Sequence, residues 1–120
     1  SLAGVFGNAA AIPEDLVDAV WEEARKPGAG YAFRSFQRSE VRWGQLRTVY
    51  INRLREMRTP TLLIHGTEDR LVPVACALEA HRLMKQSQME LMRGCGHWPQ
   101  REDPDAFNRI LLSYLSSEAR

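Results

Sequence analysis

The sequence predicts an α/β fold in which two parallel strands and their helices form the edge of a larger doubly wound sheet. Three observations carry this. Thr61-Leu62-Leu63-Ile64-His65 is a short, nearly continuous apolar run ended by Gly66, as expected for a strand covered on both faces in a parallel sheet. A second strand-like segment, Met89-Glu90-Leu91-Met92-Arg93, follows across a helical stretch, giving the layout of a right-handed βαβ unit. Two strands alone are marginal in water, and a parallel strand expects a neighbour on each side and helices on both faces. The remaining strands are therefore expected outside these 120 residues.

The character of the chain changes near Pro60, which divides it into an upstream helical region, residues 1–55, and a βαβα region, residues 56–120. Upstream, Ile12-Pro13-Glu14-Asp15 places a proline and then two acids at a helix start, which suits the positive end of the helix dipole. A helix over residues 13–25 sets Leu16, Val17, Val20 and Ala24 on one side. Lys26-Pro27-Gly28-Ala29-Gly30 breaks it, and a second helical segment begins near Ala32. Residues 35–55 mix arginines with Phe36, Val41, Trp43, Leu46, Val49, Tyr50 and Leu54. They read as helices half covered by solvent, with the arginines on solvated faces rather than on an anion site, and with Trp43 and Met57 as packing residues.

Downstream, Pro73 opens a helix running to about Lys85, on which Val74, Ala77, Leu78 and His81 recur at helical spacing. Gly94, Cys95 and Gly96 supply a turn after the second strand. Asp103-Pro104-Asp105 caps a last helix, whose apolar stripe is Phe107, Ile110, Leu111, Tyr114 and Leu115.

Sixteen Lys and Arg against fifteen Asp and Glu leave a net charge of +1, with no block of like charge, so neither nucleic acid nor an anionic membrane is expected as a partner. No apolar stretch is long enough to span a bilayer. The opening residues are small and apolar with no preceding positive charge, unlike a secretory signal, and read as a chain begun mid-protein. Cys76 and Cys95 form no disulfide framework or metal spacing and read as free thiols in a cytoplasmic protein.

In open α/β sheets, functional groups collect where loops leave the carboxyl ends of the strands. The first exit loop, Gly66-Thr67-Glu68-Asp69-Arg70, holds two carboxylates, and the second, Gly94-Cys95-Gly96-His97-Trp98-Pro99, holds a histidine. Neighbouring strands lie about 4.8 Å apart, so a carboxylate and an imidazole can meet there. Such a carboxylate fixes the ring's tautomer and stabilises the imidazolium formed when the other nitrogen takes a proton.

Pro60-Thr61-Leu62-Leu63-Ile64-His65-Gly66-x-x-Asp69-x-x-x-Pro73, followed by Gly96-His97-Trp98-Pro99 and Glu102-x-Pro104-x-x-Phe107-Asn108, resembles the C-terminal end of the α/β-hydrolase family. The run Cys95-Gly96-His97-Trp98 with Phe107-Asn108 is especially similar to meta-cleavage-product hydrolases, which split carbon–carbon bonds, and to some epoxide hydrolases. The resemblance implies that Asp69 is the acid and His97 the base of a nucleophile, histidine and acid triad, with no cofactor or metal and a small-molecule substrate. It also implies that Tyr31-Ala32-Phe33-Arg34-Ser35-Phe36 through Arg53-Leu54 are the end of a helical cap, and residues 56–120 the end of the hydrolase core.

The departure from the pattern is the nucleophile. The family places it in Gly-x-Ser-x-Gly, and none of Ser1, Ser35, Ser39, Ser87, Ser113, Ser116 and Ser117 has glycines at those offsets. The expectation is a chain inactive alone, whose parent hydrolyses an ester, lactone or carbon–carbon bond. An upstream aspartate nucleophile is one variant. The rival is a ligand-binding or assembly protein on a hydrolase scaffold, and the open strand edge suggests self-association.

Beside these readings stand plainer ones. Glu68 is a solvated loop acid, His65 packs at a strand end, His81 lies on a helix surface, and Cys95 is a spacer. Trp98 either lines a substrate pocket or packs under the last helix.

Overall fold

The structure, a computed structural model, describes residues 2–118. In chain order, two short 3₁₀ turns, Leu2–Gly4 and Ala9–Ala11, precede helices α1 (Glu14–Arg25) and α2 (Tyr31–Glu40). Strands β1 (Val41–Arg42) and β2 (Gln45–Leu46) and a 3₁₀ segment, Ile51–Glu56, come next. Then follow β3 (Thr61–Gly66), α3 (Val74–Leu83), β4 (Ser87–Met92), α4 (Pro99–Glu102) and α5 (Pro104–Glu118).

The chain forms two compact units. One comprises the residues up to Ile12 together with those from Arg53 onward, and the other is Pro13–Asn52. The N-terminal segment, grouped with the upstream region on sequence grounds, thus belongs with the β3–β4 unit. Its physical ties are the Val5 carbonyl, which accepts from the His97 amide at 2.6 Å, and the Gly7 amide, which donates to Glu102 at 2.8 Å. Ser1 and residues 119–120 lie outside the described residues.

In the larger unit β3 and β4 pair in parallel, in register from Thr61 with Ser87 to Gly66 with Met92. The second strand starts two residues before the expected Met89. Its entry is set by the Thr61 amide, which donates to the Gln86 carbonyl at 3.0 Å, and by Ser87, whose hydroxyl donates to the Met84 carbonyl at 2.9 Å. His81, expected on the helix surface, is half-buried instead, its Nδ1 at 2.8 Å from the Ser87 hydroxyl. The end of α3 and the start of β4 are thereby joined.

Helix α5 starts as the sequence predicts. Pro104 occupies the first helical position, and Asp103 Oδ1 accepts the Ala106 amide at 2.9 Å, satisfying one of the orphan donors at the helix start. It lies against β3 and β4, with Phe107, Ile110, Leu111 and Tyr114 half-buried, while Leu115 is exposed. Phe6, Leu83, Met84, Met92, Cys95 and Pro99 are among the buried side chains of this unit. Thr61 to His65 are only half-buried, so the strand read as covered on both faces is incompletely covered within this chain.

The smaller unit corrects three expectations. Residues 41–46 are a β-hairpin rather than helix, with Val41 opposite Leu46 and Arg42 opposite Gln45. Its two turn residues, Trp43 and Gly44, have φ of 55° and 74°. Positive φ at both central positions is the type I′ requirement, whose twist matches the strands it joins. The Arg47 amide donates to the Glu40 carbonyl at 2.6 Å and extends the hairpin. Trp43, expected to pack, is 94% exposed at the tip. On α1, Leu16 is buried, but Val17 and Val20 of the expected apolar side are exposed.

Among the described residues no helix is long and apolar enough to cross a membrane. Both cysteines are free, Cys76 exposed and Cys95 buried.

Candidate active site

The parallel register brings Gly66 and Met92, the last residues of β3 and β4, side by side, so both exit loops leave from one edge of the ladder. They are stitched together by backbone bonds. Thr67 donates to the Met92 carbonyl at 3.0 Å, and Glu68 to the Cys95 carbonyl at 2.9 Å. The Gly94 amide donates to the Thr67 hydroxyl at 3.0 Å. A Cβ on Gly66 would stand 2.1 Å from the Gly96 carbonyl oxygen and 2.3 Å from that of Cys95. Only glycine allows the loops to approach this closely.

Within this frame Asp69 and His97 meet. His97 Nδ1 lies 2.8 Å from Asp69 Oδ2, with the carboxylate side chain 2% exposed and the imidazole 35%. The other carboxylate oxygen accepts the Leu71 and Val72 amides at 2.8 and 2.9 Å, an arrangement open to aspartate because its short side chain can turn back on its own loop. Burial pushes the Asp69 pKa up, yet the Val72 amide, the His97 bond and the Leu71 amide together outweigh it and hold the carboxyl below its ordinary value. The group is therefore a carboxylate at neutral pH. With Nδ1 donating to Asp69, Nε2 keeps its lone pair for a reacting proton.

His65 is closer to this centre than strand-end packing implied. Its Nε2 lies 3.0 Å from the Val72 carbonyl and 3.5 Å from Asp69 Oδ2, so two imidazoles face one carboxylate oxygen. A cavity of about 310 Å³ opens beside the pair, lined by Ile64, His65, Asp69, Val72, His97 and Pro99 among others. Trp98 is not among the residues lining it; its ring packs against Phe6 in an edge-on contact, with centroids 6.2 Å apart and planes at 74°. Glu68 is exposed, as read from sequence.

Glu102 is the residue whose place the sequence reading missed. Its two oxygens accept the Gly7 amide at 2.8 Å and the Gly96 amide at 2.6 Å. The available signal was its position in the Glu102-x-Pro104 motif; its partners are backbone groups of glycines, which leave no side-chain pattern. Among the described residues no cluster of three or more His, Cys, Asp or Glu is placed to hold a metal ion.

Parallel strands flanked by helices, with an acid and a histidine on adjacent exit loops, define a class, and comparison with known sequences agrees with it. The profile of the alpha/beta hydrolase family matches residues 2–110, and the chain belongs to that family. Among curated relatives, 2-hydroxy-6-oxo-2,4-heptadienoate hydrolase of Pseudomonas putida is 30% identical over 108 residues, covering 89% of this chain and 39% of the relative. A 2-hydroxy-6-oxononadienedioate/2-hydroxy-6-oxononatrienedioate hydrolase of Cupriavidus pinatubonensis is 40% identical over 70 residues, covering 58% of this chain and 24% of the relative.

Solved structures give the same neighbourhood. A meta-cleavage product hydrolase from Pseudomonas fluorescens superposes with a TM-score of 0.82 at 28% identity, covering 99% of this chain and 44% of that one. A serine hydrolase involved in carbazole degradation gives 0.83 at 25% identity, over 96% of this chain and 44% of its own. The chain thus spans about two fifths of the length of the P. putida relative.

Proposed function

We propose that this chain supplies the acid and the base of a hydrolase triad, with Asp69 orienting His97 and His97 moving the proton. The observation that carries the reading is the 2.8 Å contact between His97 Nδ1 and the almost fully buried Asp69 carboxylate. In the intact protein a nucleophile contributed from outside these residues attacks the substrate carbonyl while Nε2 takes its proton. The imidazolium, stabilised by Asp69, then returns that proton to the leaving group. The substrate is an ester, a lactone or the carbon–carbon bond of an activated ketone. The named relatives favour the last, as a 2-hydroxy-6-oxo-dienoate. No cofactor or metal is required, and the two free thiols suit a cytoplasmic protein.

A general base without nucleophile or oxyanion hole is not a catalytic unit, so the 120-residue chain by itself is inactive in this reading. The test is turnover of 2-hydroxy-6-oxo-dienoates and activated esters by the protein that joins this chain to its nucleophile. His97→Ala is expected to lower turnover by about 10⁴. Near-normal turnover in that variant sinks the assignment.

A second reading, assembly, draws on the half-buried β3 and on exposed large apolar side chains such as Leu71, Leu91 and Leu112. The isolated chain then self-associates through its open sheet edge. A monomer by light scattering at high concentration counts against it.

A further inference from the structure

The carboxylate of Glu102 spans two segments far apart in sequence. One oxygen accepts the amide of Gly96, the residue before His97, and the other accepts the amide of Gly7, 95 positions upstream of Glu102. We propose that Glu102 is a positioning residue that locks residues 5–7 onto the turn carrying His97 and so sets the angle at which the imidazole meets Asp69. The inference rests on His97 being the working base.

Three observations converge on this clamp. The His97 amide donates to the Val5 carbonyl at 2.6 Å, so the backbone on both sides of the Gly96–His97 peptide is held by the same pair of segments. A Cβ on Gly96 would lie 2.4 Å from both the Gly7 nitrogen and the Val5 oxygen, and one on Gly7 would lie 2.2 Å from the Gly94 oxygen. The two segments are therefore in direct backbone contact, with no room for a side chain between them. The edge-on contact of Phe6 with Trp98 closes the far side of the turn.

The clamp needs a carboxylate. Two N–H groups point at one side chain, and an ionised carboxylate accepts at both oxygens, whereas an amide offers one acceptor and one donor. Glutamine at this position would set its NH₂ against the N–H of Gly7 or Gly96. Aspartate is shorter by one methylene and cannot hold both amides without moving α4 or the turn. Acid-side charge at this spot is felt nearby. Burial pushes the Cys95 thiol pKa up, and the Glu102 and Asp103 carboxylates raise it further.

The experiment is NMR on the isotope-labelled 120-residue chain. In the wild type the Gly7 and Gly96 amide nitrogens are each expected to show through-hydrogen-bond coupling to the Glu102 carboxylate carbon. The His97 Nδ1 proton, shared with Asp69, is expected as a separate far-downfield resonance. In Glu102→Gln that resonance is lost or broadened, while the amide signals of β3 and α5 hold their positions. A His97 resonance unchanged in Glu102→Gln overturns the proposal.

Should that variant fail to fold, the wild-type chain decides alone: absence of the coupling from either the Gly7 or the Gly96 amide also overturns it. The readout involves no turnover, so failure of the hydrolase assignment and failure of the clamp are distinguishable.

Discussion

His97 Nδ1 and Asp69 Oδ2 stand 2.8 Å apart although they lie 28 positions apart in sequence, because β3 and β4 end at paired positions and release their loops together. The contact has direction. Asp69 spends its other oxygen on the Leu71 and Val72 amides, so the carboxylate cannot rotate away, and His97 is left with one tautomer.

That direction makes Asp69→Asn more informative than truncation. The volume hardly changes and the loop bonds can persist, but the amide can offer its NH₂ to the imidazole and invert the tautomer. Turnover of the protein joined to its nucleophile is expected to fall by about 10⁴ with the fold retained. Activity within a few-fold of wild type would show that His97 does not depend on this partner.

The same geometry links Asp69 to stability in acid. The folded carboxyl sits below its ordinary value near 3.8, because the bonds from Val72, His97 and Leu71 outweigh the burial that raises it. The unfolded chain therefore binds the proton more tightly. The stabilisation is fully present above the unfolded value and is lost as pH falls through the lower folded value. Urea midpoints measured from about pH 5 down to about pH 2.5 should decline less steeply in Asp69→Asn than in wild type. Parallel curves would mean that Asp69 contributes nothing to acid sensitivity.

Asp69 and His97 were legible in the sequence because each follows a strand with a recognisable end, and strand ends in parallel sheets are where chemistry collects. The last helix was legible through Asp103, whose cap acts over three residues. What escaped has other causes. The clamp of Glu102 works on backbone amides, one of them 95 positions away. His65 became a neighbour of Asp69 only through the return of the loop to Val72. The hairpin at residues 41–46 was hidden because arginines at mixed spacing read as a solvated helix face, and tryptophan is not the residue that a left-handed turn position announces.

Trp43 carries a testable cost. At φ 55° a residue with a Cβ is in the left-handed region, and at 94% exposure its ring gains little packing in return. Asparagine tolerates that conformation, and Asn-Gly is the preferred type I′ pair. Trp43→Asn is expected to stabilise the hairpin unit by about 1 kcal/mol, seen as slower amide exchange across Val41 and Leu46. Faster exchange in the variant would show that the ring contributes more than its strain costs.

The two thiols should differ sharply in reactivity. Cys76 is exposed on α3, whereas Cys95 is 6% exposed. Burial pushes the Cys95 thiol up, and the Glu102 and Asp103 carboxylates push it further, so it holds little of the reactive thiolate at neutral pH. Its carbonyl also accepts the Glu68 amide at 2.9 Å, and with the side chain 6% exposed modification is expected to proceed through opening of the turn that carries His97. Iodoacetamide followed by peptide mass spectrometry should modify Cys76 at least about tenfold faster than Cys95. Glu102→Gln should narrow the gap, because it removes a negative charge and loosens the turn at once. Equal rates in the wild-type chain would mean that the His97 turn opens freely, and that Asp69 and His97 meet only part of the time.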